Sequence, residues 1–367
     1  MLPAQGVLIT NEDMKDQKET EQLLSWYDAR RRILPWREEP TPYHVWLSEI
    51  MLQQTRVEAV REHYARFLRE LPDIHALASA DEDCYLKLWE GLGYYSRIRN
   101  MHKAAVEIEE RCGGEMPKTA EELVRLPGIG EYTAAAIASI AFGQPVPSVD
   151  GNLLRVWARK TASADNIKAP ATVKSARAYY AERISRTRPG DYNQALMDLG
   201  ATVCLPKGQP DCDRCPWSRC CSAHLDGREL DFPVVPAKAS RRVEKRTVFI
   251  IHDSSHVLLH RRGDKGLLAG LWEFPGTEGV LTKSSAVQFL QEHGLKPTEI
   301  RKLPPAKHVF SHVEWRMTGY DVFADGLSAL PLPEDYAAAS RTDLEEIYTV
   351  PSAFAAFLNS EAIRSLL

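Results

Sequence analysis

The stretch LPGIGEYTAAAIASIAFGQPVPSVDGN, Leu126 to Asn152, constrains this chain more than any other. Gly128 and Gly130 stand two apart in a tight turn, where glycine supplies positive φ and lets another backbone come close. The run that follows, Glu131 to Phe142, is rich in Ala and Ile and reads as a helix. Its first N–H groups then point into the turn and make an anion site. With no Lys in the turn and no Gly-Lys-Ser/Thr ending, this is not a nucleotide P-loop; a duplex phosphate held by backbone donors fits better. An ordinary helix-turn-helix corner is the plainer reading of the turn alone. Pro147 to Asn152 closes a non-helical link and opens another helix, so Asp150 sits at a helix N-terminus, where a carboxylate is favoured. A simple N-cap would use Asp in the same way.

Upstream, the basic run Arg30-Arg31-Arg32 leads into Leu34-Pro35-Trp36-Arg37. Such a run is commonly a solvated face, but interleaved aromatics also suit a surface met by phosphates and bases. Residues 44–57, HVWLSEIMLQQTRV, read as one long helix with Val45, Leu47, Ile50, Met51 and Leu52 in a core. Glu49 lies beside that apolar set. Either it is on the wet side of the helix, or it is desolvated and holds a proton near neutral pH, as a general acid must. Farther on, Gly91-Leu92-Gly93-Tyr94-Tyr95 interrupts a helical stretch and puts a tyrosine at a loop tip. Core aromatics account for the pattern as well as a wedge that unstacks bases does.

Five of the seven cysteines fall between Cys204 and Cys221. The N-terminal sequence has acids where a leader would have a basic start and an apolar run, and no stretch approaches the ~20 apolar residues of a membrane span. A cytoplasmic protein without disulfides is therefore expected, and Cys204-x7-Cys212-x2-Cys215-x5-Cys221 points to a metal site. Four thiolates can hold zinc or an iron–sulfur cluster, and Cys220 competes with Cys221 for the fourth place. The net charge of −4 does not advertise a nucleic-acid binder, so any DNA contact must come from local clusters and backbone donors.

A length of 367 residues suggests two domains. We read 1–20 as a disordered tail, 21–222 as a helical domain, 223–245 as a linker and 246–362 as an α+β domain. In the last, Thr247 to Ile251 and Val257 to His260 make a strand hairpin, Phe310 to Val322 alternates, and Ser284 to Leu295 and Ser352 to Leu358 read as helices.

Hairpin, apolar helix and VDGN together resemble the helix-hairpin-helix superfamily of DNA glycosylases, and WLSEIMLQQT (Trp46 to Thr55) resembles its adenine-specific branch of the MutY type. The four cysteines resemble that family's 4Fe–4S loop, with one extra residue in the first gap. GLLAGLWEFPG (Gly266 to Gly276) resembles a Nudix domain. The resemblance runs from Glu21 to Leu358. It implies an all-α helix-hairpin-helix glycosylase domain carrying a 4Fe–4S cluster, followed by an α+β Nudix-like domain. It also implies excision of adenine mispaired with 8-oxoguanine in double-stranded DNA, by a monomer of the bacterial cytoplasm and nucleoid.

In that family the position of Glu49 protonates adenine, and that of Asp150 stabilises the positive sugar. Tyr132 stands where bifunctional relatives such as endonuclease III carry a Schiff-base lysine, so base removal without efficient strand scission is implied. Its hydroxyl is then available to bond Asp150 and lower that pKa. Gln54 and Thr55 would face the widowed base, Gln54 and Tyr94 would supply the wedge, Leu92 would meet DNA, and Gln194 would lie near the adenine. Phe310, Ser311 and His312 would meet 8-oxoguanine, while Arg32, Trp36, Arg37, Gly128, Gly130 and Asn152 would meet DNA; Arg97 and Arg99 would contact phosphates. Cys204, Cys212, Cys215 and Cys221 would hold the cluster. Nudix hydrolysis is not implied, because Val280 to Gly294 contains Glu292 as its single carboxylate. A pyrimidine-specific glycosylase-lyase is opposed by Tyr132 and by the C-terminal domain; a non-catalytic lesion-binding protein could dispense with Glu49.

Overall fold

A computed structural model of the chain describes residues 11–236, 240–360 and 363–364. Among these, 11–78 with 99–236 cluster into one compact unit and 79–98 with the residues from 240 onward into a second. The helices of the first half are α1 (Asn11–Arg30), α2 (Pro35–Glu38), α3 (Pro42–Leu52), α4 (Val57–Glu70), α5 (Ile74–Ala78), α6 (Glu82–Leu88) and α7 (Ser96–Cys112). After them come α8 (Ala120–Leu123), α9 (Glu131–Ile140), α10 (Gly151–Thr161), α11 (Pro170–Arg183), α12 (Pro189–Thr202) and α13 (Ser222–Leu225). Local chemistry sets several of their starts. Thr41 caps α3 by accepting from His44 N, with Pro42 at the first helical position, and Thr119 and Glu122 form a capping box on α8. The first unit's core joins Leu23 and Tyr27 of α1 to Leu153 and Trp157 of α10, Tyr180 of α11, and Tyr192 and Leu196 of α12.

Three boundaries differ from the sequence reading. Residues 11–20 are the first half of α1, not tail: Glu19 is buried against Lys160, and Thr20 Oγ1 donates to Arg183 O at 2.7 Å. The rest of that tail, 1–10, lies outside the described residues. The linker is also shorter, since Ala223 and Phe232 are buried in the helical core and a strand has begun by Arg242; 237–239 lie outside the described residues. The helix expected over 44–57 stops at Leu52, and Gln54 turns left-handed at φ +60° before α4 begins.

The second unit holds a mixed eight-stranded sheet of β1 (Arg242–His252), β2 (Val257–Arg261), β3 (Trp272–Glu273), β4 (Gly276–Glu278), β5 (Glu299–Lys302), β6 (Ala306–Val309), β7 (Val313–Phe323) and β8 (Tyr336–Ala339). β1 pairs with β7 in parallel over its whole length and with β2 antiparallel. Helix α14 (Lys283–Glu292) follows β4, and α15 (Arg341–Glu346) and α16 (Ala355–Leu358) follow β8. Val248, Phe249, Ile250 and Ile251 are all buried because both sheet faces are covered: Val248 and Ile250 belong to one core, Phe249 and Ile251 to the other with Leu290 of α14. No helix among the described residues is long and apolar enough to cross a membrane.

Gly190, at the start of α12, is where this helix meets α9: a Cβ there would lie 2.8 Å from Ile140 Cα and 3.0 Å from Ser139 O. Gly190→Ala should push α12 away and destabilise the helical unit by roughly 1–3 kcal/mol. The urea midpoint followed by far-UV circular dichroism would fall; an unchanged midpoint would refute the close packing.

Candidate active site

Glu49, Gln54, Thr55, Gly128, Gly130, Tyr132, Asp150, Asn152 and Gln194 line one cleft of about 700 Å³ in the helical unit. Its walls come from α3, α9, α10 and α12. Glu49 is buried in the last turns of α3, between Ser48 and Ile50 on a helix with little polar surface. Burial pushes its pKa up to about 7; a hydrogen bond from Tyr132 and the Arg37 charge oppose the rise, and Asp150 adds to it. The Tyr132 hydroxyl donates to Glu49 Oε2 at 2.5 Å, not to Asp150 as the sequence suggested. From the first turn of α9, its side chain reaches α3.

Asp150 is the N-cap of α10, so the structural role weighed above is real and coexists with its place in the cleft. Oδ1 accepts from Leu153 N at 2.8 Å and Oδ2 from Asn152 Nδ2 at 2.9 Å. Burial raises its pKa, while these donors and Arg155 pull the other way. Asn152 is therefore occupied with Asp150, not turned toward a duplex; its Oδ1 accepts from Arg155 Nη2 at 2.9 Å. Arg155 Nε in turn donates to Cys204 O at 2.8 Å.

Of the basic stretch, Arg30 and Arg31 are exposed, while Arg32 and Arg37 are engaged within the unit. Arg32 Nε and Arg37 Nη1 reach the fully buried carboxylate of Asp198 at 2.7 and 2.8 Å. One carboxylate thus meets two guanidinium groups, and the cluster keeps a net positive charge. Trp36 is buried edge-on to Tyr64, though it and Arg37 still line the cleft. In the turn, Gly128 has φ +75° and a Cβ there would lie 2.6 Å from Asn100 Cβ. Gly130 has an ordinary φ of −84° and caps α9 without a side-chain acceptor, which leaves the first N–H groups facing the turn. Gln54 is exposed and Thr55 half-buried at the cleft's edge.

In the second unit Tyr94 is 46% exposed with φ +48°, whereas Leu92, expected to meet DNA, is buried. Arg97 turns inward onto Leu92 O and Gly93 O. The Tyr94 hydroxyl lies 2.8 Å from Ser311 Oγ. Ser311 and His312 are exposed in the turn from β6 to β7, while Phe310 packs against His308 and Trp315.

Cys204, Cys212, Cys215 and Cys221 all line a single apolar cavity. Cys220 is outside that lining, with its thiol 3.5 Å from Trp217 O. Arg155 and Arg159 are buried beside this loop, bonded to carbonyls, to Asn152 and, through Arg159 Nη1 at 3.2 Å, to Cys204 Sγ. Buried guanidinium groups held by neutral acceptors suit an anionic occupant. Cys212, His224 and Glu229 also lie within 4.8 Å of one another, a second donor set at the cavity's edge. The sequence reading missed Arg155 and Asp198; a signal was available for each, a charge spaced among the apolar residues of a buried helix face.

Residues 47–182 match the HhH-GPD superfamily of base excision DNA repair proteins, and residues 247–360 match the NUDIX domain. The chain is 34% identical to the adenine DNA glycosylase of Homo sapiens, over 89% of this chain and 73% of that one. It is 37% identical to that of Rattus norvegicus, over 83% and 70%. A solved thermostable thymine-DNA glycosylase is similar over 59% of this chain and the whole of its own, with 25% identity and a TM-score of 0.54.

Tyr132→Phe removes the donor that favours ionised Glu49, so Glu49 should titrate above about 7 in that variant. A ¹³C-carboxyl NMR titration, with the signal assigned through Glu49→Gln, would show it. A pKa that stays or falls would mean that the phenol does not bond the carboxylate.

Proposed function

Because the chain belongs to the adenine DNA glycosylases of base-excision repair, we propose that it hydrolyses the N-glycosidic bond of adenine mispaired with 8-oxoguanine, and less readily with guanine, in duplex DNA. The observation that carries this is the unlike environment of two carboxylates in one cleft. Glu49 is buried with one phenol donor and pushed up to about 7, so it can hold a proton at neutral pH. Asp150 is fixed at a helix N-terminus by two N–H donors that favour its ionised form.

Glu49 gives its proton to the adenine ring as the glycosidic electron pair leaves with the base. The positive charge that develops on the sugar faces ionised Asp150, and water completes the hydrolysis. Tyr132 has no amine, which supports base removal without Schiff-base strand cleavage. The adenine reaches the cleft by flipping. Gln54, exposed and in left-handed backbone beside the cleft, is suited to fill the space it leaves; in the second unit Tyr94 has the same exposure and backbone and is suited to enter a base stack. The uncapped start of α9 and the Gly128 turn are suited to a phosphate. Ser311 and His312 are suited to the partner base.

Cys204, Cys212, Cys215 and Cys221 would hold a 4Fe–4S cluster, which would cross-link the loop and supply negative charge beside Arg155 and Arg159. In the Nudix-like unit, α14 carries Glu292 as its single carboxylate, which supports recognition and not pyrophosphate hydrolysis.

Single-turnover assays on adenine:8-oxoguanine, adenine:guanine and oxidised thymine:adenine duplexes should give strand breaks only after alkali, most rapidly on the first. Direct breaks at oxidised thymine would identify a lyase, and tight binding without breaks a lesion-binding protein. Glu49→Gln should cost roughly 10²–10⁴ in rate, the range for a lost general acid, with duplex binding kept.

The pH profile should be bell-shaped. Glu49 acts protonated, so excision should fall as pH rises through about 7. Asp150 acts ionised with a raised pKa, so the acid-side loss should begin above the pH at which an ordinary aspartate titrates. A flat single-turnover rate between pH 6 and about 8.5 would exclude Glu49 as the acid.

A further inference from the structure

Residues 79–98 interrupt the sequence of the helical unit, yet they belong to the second unit, and two of them fasten the segment there. Lys87, in the last turn of α6, places Nζ 2.8 Å from Leu344 O, 3.4 Å from Tyr348 O and 2.7 Å from Glu90 Oε2. The two carbonyls lie at the C-terminal end of α15, where C=O groups lack helical donors and a cation is favoured. The other oxygen of Glu90 accepts from Val350 N at 3.1 Å. Side-chain exposures of 18% for Lys87 and 29% for Glu90 set this pair apart from a solvated surface bridge.

The chain turns left-handed directly after Glu90, at Gly91 (φ +95°), Gly93 (φ +67°) and Tyr94 (φ +48°). Glycine adopts that region freely; tyrosine does so at a cost, so its surroundings must hold it. Trp89 Nε1 donates to Gly93 O at 3.1 Å, and Arg97 donates to Leu92 O and Gly93 O while lying over the Tyr94 ring. At the tip stands the 2.8 Å contact from Tyr94 to Ser311.

We propose that Lys87 and Glu90 are positioning residues for recognition of the partner base: they clip the root of the Tyr94 loop to residues 344–350, so that Tyr94 and Ser311 present one joined surface. This rests on the function proposed above, in which Tyr94 enters the base stack and the Ser311 turn meets 8-oxoguanine. Glu49, Tyr132 and Asp150 belong to the other unit. Loosening the clip therefore costs discrimination more than bond cleavage.

The test measures single-turnover excision from adenine:8-oxoguanine and adenine:guanine duplexes with the full-length protein, Lys87→Met, Glu90→Gln and Lys87→Arg. Methionine keeps the apolar stem and removes the ammonium. Lys87→Met should lower the ratio of the two rates roughly fivefold to tenfold, the scale of one net hydrogen bond, chiefly by slowing the 8-oxoguanine duplex. Lys87→Arg, which still offers donors to both carbonyls, should restore most of it. If Lys87→Met melts early by circular dichroism, Glu90→Gln carries the test, since it still accepts from Val350 N but loses the charge. A wild-type ratio near one would sink the 8-oxoguanine assignment itself, and this inference with it. A wild-type preference that survives in Lys87→Met and Glu90→Gln, or an equal fall in both rates, would overturn the clip alone.

Discussion

The hydrogen bonds that fix Asp150 at the head of α10 are the constraint on which the helical unit depends. One oxygen takes Leu153 N, the other Asn152 Nδ2, and Asn152 is itself held by Arg155, which reaches on to Gly200 O at 2.7 Å and Cys204 O at 2.8 Å. Every member of this chain is at least partly buried, so removing one leaves its neighbour with an unmet polar group, which costs about 1–3 kcal/mol. Gly200 shows how tight the arrangement is, since a Cβ there would lie 2.7 Å from Asn152 Cβ. The orientation of the cleft's carboxylate is thus tied to α12 and to the cysteine loop, neither of which touches the cleft's contents through these atoms.

The two carboxylates differ because their helices deliver them differently. Glu49 arrives mid-helix, where the backbone N–H groups are already used and desolvation dominates; one phenol is a weak answer to that. Asp150 arrives at a helix start, where free N–H groups are abundant. Burial raises both pKa values, Glu49's to about 7 on the α3 side, while on the α10 side two N–H donors oppose the rise at Asp150.

Local periodicity made much of this readable. The turn at Gly128, the apolar helix after it, the Asp150 cap and the alternating strands around Val248 each depend on residues a few positions apart. What stayed hidden depends on distance along the chain. The Tyr132 hydroxyl crosses 83 positions to Glu49, and Arg37 crosses 161 to Asp198. A basic run with its counter-ion so far away is indistinguishable, in sequence, from one awaiting phosphate. Residues 79–98 carry helical periodicity like their neighbours, and no local signal says that they fold with strands from beyond residue 240.

The sheet unit shows how a Nudix-type framework can persist without the acids of its hydrolytic box. Its two cores need only the alternation of β1 and β7 and the apolar face of α14, and these are intact. The carboxylate of Glu273 is buried and takes Arg262 Nη1 at 2.6 Å, which places that guanidinium 5.7 Å from the Trp315 ring. Arg246 lies at 4.5 Å from the same ring, and Trp315 Nε1 donates to Glu244 at 2.8 Å. Phe310 then packs on Trp315 at 4.9 Å. Charge at this end of the sheet serves to stiffen an aromatic floor, and the floor holds the turn that exposes Ser311 and His312. A turn anchored by packing loses less in ordering entropy when it is bound than a loose one would.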